Sequence, residues 1–164
     1  MAVKFQIYCL AVLDLDWVRN MAETLGSLCD KLTIVKLKQW HSDKPEKLQS
    51  LELQEKQLVQ EIDEFVSLAI SGEITPERLI FSANKVYPKF NESSIVGGLG
   101  EIIAKLAEAN SKVWHEQEKA YCFDSVPASE KDQVVKNLMI FNLERSRCMD
   151  QIDLLFRNAI TSKG

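Results

Sequence analysis

Apolar residues recur along this chain at steps of three and four, the spacing that places them on one stripe of an α-helix. Four such stripes can be read: Met21, Leu25, Leu28, Leu32 and Val35; Leu51, Leu58, Ile62, Phe65 and Ala69; Ile95, Leu99, Ile102, Leu106, Ala109 and Val113; and Val134, Leu138, Phe141, Cys148, Ile152 and Leu155. Breakers cut the chain between them. Ser42-Asp43-Lys44-Pro45 closes a first hairpin, Gly72 ends its second helix, and Thr75-Pro76-Glu77 opens a short connecting helix by a cap followed by proline. A Ser129-Glu130-Lys131-Asp132 capping pattern precedes the last stripe. Helices with one apolar stripe each bury those stripes best against one another. The pattern therefore predicts an all-α single domain over residues 1–164, a four-helix bundle of two helical hairpins with short extra helices. Residues 1–15 are ambiguous: Val3, Phe5 and Ile7 alternate as in a strand, while the whole run also fits an apolar helix, the reading preferred here.

The two hairpins resemble each other. Leu25-Gly26, Lys31-Leu32, Lys38 and Trp40-His41 recur 74 residues later as Leu99-Gly100, Lys105-Leu106, Lys112 and Trp114-His115. Leu53, Ile62-Asp63 and Ala69-Ile70 recur 90 residues later as Leu143, Ile152-Asp153 and Ala159-Ile160. This implies an internal repeat, 17–72 and 93–162, joined by a connecting segment 73–92. The 16-residue difference between the two offsets is read as an insertion in the second hairpin's loop.

Composition narrows the class. At 164 residues with 46% apolar and 27% charged positions, the chain is long enough to bury a core without staples. A formal net charge of −4, with the Lys and Arg interleaved among acids, argues against a nucleic-acid partner. Cys9, Cys29, Cys122 and Cys148 include no CxxC pair and are expected to be reduced, three of them within the core. The apolar start runs into Asp14 and Asp16 and lacks a strongly basic beginning. Neither a signal peptide nor a membrane span is expected, which points to the cytoplasm.

Asp30-Lys31-Leu32-Thr33-Ile34, Leu37-Lys38 and Trp40-His41 resemble one half-motif of an uncharacterised bacterial family of short helical proteins, a domain of unknown function. Asn110, Trp114-His115-Glu116, Glu118, Ala120, Asn142, Arg145 and Ile152-Asp153 are similar to its other half. The resemblance covers about residues 20 to 160. The halves stand here in swapped order, and Glu55 occupies the place of an Arg equivalent to Arg145. No activity is assigned to that family, so the resemblance implies an architecture and a set of residues to examine.

Two constellations have the residue types for chemistry. His41 and His115 follow equivalent tryptophans, which are expected to be buried with them at one end of the bundle. His115 with Glu118 one turn on, and with Glu116, gives a metal or acid-base candidate, since bundle metalloproteins place Glu and His at i, i+3. Lys44 stands where the first repeat would need a second such carboxylate, which speaks against a dimetal site. The second constellation is polar residues on or beside the stripes: Lys36, Glu55, Asn110, Asn142 and Arg145. Buried charges must pair, so Glu55 and Arg145, at repeat-equivalent positions, are expected to form an ion pair completed by Asn110 or Asn142. The same seam offers a grip for a small anionic ligand through Lys36, Asn110 and Arg145. Weaker signals are the Gly97-Gly98-Leu99-Gly100 run at a helix start, without the Lys-Ser/Thr of a phosphate loop, and the acidic Glu61, Asp63 and Glu64.

Two functional readings follow. The first is a non-enzymatic helical-bundle binding or assembly protein without a cofactor. A homo-oligomer is expected because Phe5, Tyr8, Phe81 and Phe90 are apolar residues outside the four stripes. The second is a divalent-metal-dependent hydrolase of a nucleotide or phosphorylated small molecule, using Glu61, Asp63, Glu64, His115 and Glu118.

Overall fold

The computed structural model describes residues 22–81 and 95–162. Residues 1–15, with the helix-or-strand question, and Phe5, Tyr8 and Phe90 lie outside them. Among the described residues four long helices form: α1 Leu25–Trp40, α2 Pro45–Ile70, α3 Leu99–Tyr121 and α4 Ala128–Thr161. Two 3₁₀ turns, Pro76–Arg78 and Phe123–Ser125, supplement them, and there is no strand among the described residues. None of these helices is long and apolar enough to cross a membrane.

The helix boundaries follow the breakers. Thr24 caps α1, accepting from the Ser27 backbone N–H at 3.3 Å while the Thr24 N–H donates to Ser27 Oγ. Pro45 opens α2, where its missing N–H costs nothing. After Ile70 the chain reverses through Gly72 at φ 79°, which frees the Glu73 and Ile74 N–H groups to donate to Leu68 O at 2.9 and 3.1 Å. The connecting segment then drops Ile74 and Leu79 into the core. One boundary differs from expectation: α4 begins at Ala128, so Ser129 lies inside the helix and supplies no cap. The supposed loop insertion is also mostly helix. α3 has 23 residues against 16 in α1, and α4 has 34 against 26 in α2, so the extra chain lengthens the second pair.

The core is the meeting of the stripes. Leu28, Ile102, Leu106, Cys148 and Ile152 are almost wholly buried, and Phe65 of α2 meets Phe156 of α4 at 6.2 Å between ring centroids. α1 packs against all three other long helices. A helix so enclosed buries more than one stripe, and α1 also hides Gly26, Cys29 and Asp30, which lie off the predicted one. Burial, reinforced by the Asp153 and Asp30 carboxylates, pushes the Cys29 thiol up to about 11. Cys148 is buried too, Cys122 is exposed at the end of α3, and Cys9 lies outside the described residues.

At Gly26 the backbone of α1 lies close against that of α4 at Met149. A Cβ there would stand 2.8 Å from the Met149 carbonyl carbon and closer still to its oxygen, both parts of a backbone that cannot swing aside. Alanine gains about 1 kcal/mol of helix propensity over glycine, but overpacking of this kind typically costs 1–3 kcal/mol or more. Gly26→Ala is therefore expected to lower stability to urea by about 1 to 2 kcal/mol, whereas Gly100→Ala, which meets nothing within 4 Å, should raise it.

Candidate functional site

The polar centre of the molecule is Asp30. Its side chain is only 6% exposed, and it holds Arg145 of α4 through two bonds: Arg145 Nε donates to Oδ1 at 2.7 Å and Nη2 to Oδ2 at 2.5 Å. Asn110 of α3 donates to Asp30 Oδ1 at 2.9 Å and to Thr33 Oγ1 at 2.7 Å. A planar guanidinium matches a carboxylate edge to edge, so the pair fixes direction as well as distance. Three helices are thus tied at one carboxylate. Four residues nearer the start of α1, Asp153 of α4 accepts the Gly26 N–H at 2.7 Å, placing a carboxylate at the positive end of the α1 dipole.

This arrangement corrects the expected Glu55–Arg145 pair. Glu55 lies at the α1–α2 surface, where Lys36 Nζ at 2.9 Å and Gln39 Nε2 at 2.8 Å donate to it and, in that order, hold its carboxyl below the usual range. Lys36 is therefore engaged away from Asn110 and Arg145. Asn142 is exposed and donates to Leu138 O on its own helix. The five seam candidates thus separate: Lys36 pairs with Glu55 at the surface, Asn142 stands apart, and Asn110 and Arg145 meet on Asp30, a residue given no role in the sequence reading.

The histidine end also differs from expectation. Trp40 is 86% exposed because it lies five residues beyond buried Val35, about 140° round the helix, and so turns away from the core. His41 and His115 are exposed as well. Trp114 is partly buried: His41 stacks on its ring at 4.9 Å between centroids and 19° between planes, and Trp114 Nε1 donates to Glu118 Oε1 at 2.9 Å. His115 stands edge-on to His41 at 6.3 Å, with its Nδ1 3.7 Å from Glu118. Glu116 is buried, accepting from Lys119 at 2.9 Å and Asn137 at 3.2 Å. Among the described residues no three His, Cys, Asp or Glu side chains are grouped so as to hold a metal ion.

Two cavities lie beside this framework. An inner one of about 310 Å³ is lined by Ile34, Leu37, Lys38, Asn110, Val113, Trp114, Gln117, Tyr121 and Arg145. An outer one of about 410 Å³ is lined by Lys38, His41, Ser42, Lys47, Ser50, Leu51 and Trp114. Lys38 and Trp114 belong to both, and no carboxylate lines either among the described residues. Lys38, which the sequence marks as a repeat and motif residue but not as a ligand contact, takes the place expected of Lys36. The difference is two residues on α1, enough to carry a side chain to another face.

Breaking the central pair one side at a time should be far worse than breaking both. Asp30→Leu is expected to cost about 2 to 3 kcal/mol by leaving a largely buried guanidinium without its carboxylate, whereas Asp30→Leu with Arg145→Leu should recover most of that loss. A double-mutant cycle in urea checks this; additive losses would show that the pair is not coupled. Comparison with family models, with curated proteins and with solved structures finds no match for this chain.

Proposed function

We propose that this chain is a non-enzymatic binding protein that takes a small organic anion in the inner cavity between α1, α3 and α4. The observation that carries the reading is the composition of that cavity: apolar and aromatic walls, a preorganised Asn110–Arg145 floor held by Asp30, and Lys38 at its side with no carboxylate beside it. Ligand sites commonly have this form, mostly apolar with a few convergent polar groups. Asp30 neutralises Arg145, so the net positive charge offered to a ligand comes from Lys38. The rigid floor supplies shape and orientation at little entropic cost on binding.

The hydrolase reading has less behind it. Asp63 is exposed and Glu61 and Glu64 partly so on α2, while His115 and Glu118 are exposed at the Trp114 end of α3. The internal repeat belongs with the binding reading. Leu25–His41 and Leu99–His115 are taken as copies of one unit whose differing positions, Asp30 against Ala104 and Lys36 against Asn110, created an asymmetric floor.

Titration calorimetry with a panel of organic carboxylates and phosphates tests the proposal. At least one anion is expected to bind, and Lys38→Glu, an exposed position, should weaken it by 10-fold or more while leaving thermal stability unchanged. A panel without any binder, or binding indifferent to Lys38→Glu, would overturn it.

A further inference from the structure

The inner cavity does not exhaust the positive side chains at this end of the molecule. Resting on the anion-binding reading above, we propose that the two cavities form one bipartite site for a phosphorylated planar aromatic compound. The ring lies in the inner cavity and the phosphate in the outer one.

The two halves share Lys38 and Trp114 and differ in the rest of their walls: the inner one adds most of the aromatic and aliphatic surface, above the Asn110–Arg145 floor, and the outer one adds a second lysine and two hydroxyls. The inner cavity has Trp114, Tyr121 and the aliphatic side chains of Ile34, Leu37 and Val113, which suit a flat apolar body. The outer cavity gathers Lys38, Lys47 and His41 with the hydroxyls of Ser42 and Ser50. Such a set supplies several donors from different directions, which matches a phosphate with its three terminal oxygens and charge near −2 better than a carboxylate with two. In a chain of net charge −4 with 24 acidic residues, a cavity with two lysines and no carboxylate is an arrangement that needs a partner for its charge.

Trp114 is the partition between the halves. Its indole is held by the stacked His41 at 4.9 Å and by the Nε1 bond to Glu118 at 2.9 Å, so it is positioned before any ligand arrives. Lys38 lines both cavities and stands where ring and phosphate would be joined. The exposure of His41, which the packing of the bundle does not require, is accounted for by the same arrangement: one role fixes the indole and the other faces the anion.

Calorimetry with adenosine 5′-monophosphate, phenyl phosphate, adenosine, benzoate and inorganic phosphate tests this on the full chain. At least one of the two aromatic phosphates is expected to bind 10-fold or more tightly than both adenosine and inorganic phosphate. Lys47→Glu, confined to the outer cavity, should remove that advantage. Gln117→Trp, which adds bulk at an exposed position of the inner cavity, should weaken the aromatic phosphates without changing the melting temperature. If neither aromatic phosphate exceeds phosphate alone, or Lys47→Glu leaves the advantage intact, the bipartite site is overturned. Benzoate binding that depends on Lys38 with no gain from phosphate would overturn it while sustaining the simpler anion-binding reading; no binding by any of the five would count against both.

Discussion

A single buried carboxylate constrains how three of the four long helices can meet. Asp30 sits on α1, which packs against α2, α3 and α4, and its two oxygens are taken up by Arg145 from α4 and Asn110 from α3. Apolar stripes alone tolerate sliding and rotation, because hydrophobic burial has no direction. A bidentate ion pair with a third donor has direction, and leaving any member of it unpaired inside the protein costs more than most packing changes. The Gly26–Asp153 contact adds a second tie between α1 and α4, and Gly26 has no side chain to hold the backbones apart. With α1 so placed, the space left between Ile34, Leu37 and Val113 becomes the inner cavity.

Much of the architecture was legible in the sequence because periodicity and breakers are local. The helices start or stop at Pro45, Gly72 and Pro76 as the cap and breaker chemistry requires. The stripes name most of the core, from Leu28 to Ile152. Where the reading failed, the cause was an assumption of one buried stripe per helix. Asp30 lies off the stripe of α1, so it was taken as part of a motif and given no partner. A central helix, however, is buried on several sides, and a lone acid among Leu28, Cys29 and Leu32 was the available signal.

The repeat misled the pairing for a related reason. Positions that match in sequence need not face one another, and here α1, α3 and α4 each contribute a different group to the same floor. Arg145 bonds to Asp30, whose equivalent is Ala104, while Glu55, the equivalent of Arg145, is satisfied by Lys36 and Gln39 at the surface. The Trp-His pairs diverge in the same way. α3 continues beyond Trp114, and His41 covers that ring, whereas Trp40 ends its helix and turns outward. Both cavities lie at this end of the molecule, where they share Lys38 and Trp114.

Arg145 is locked onto Asp30 in the folded protein, and side-chain nitrogen NMR reads that state directly. The account expects the Arg145 Nε–H of the native chain to give a sharp, shifted resonance protected from exchange with water, and to lose both shift and protection in Asp30→Asn while the backbone spectrum stays folded. An Arg145 Nε–H that exchanges as freely as a solvent-exposed arginine in the native chain would contradict it.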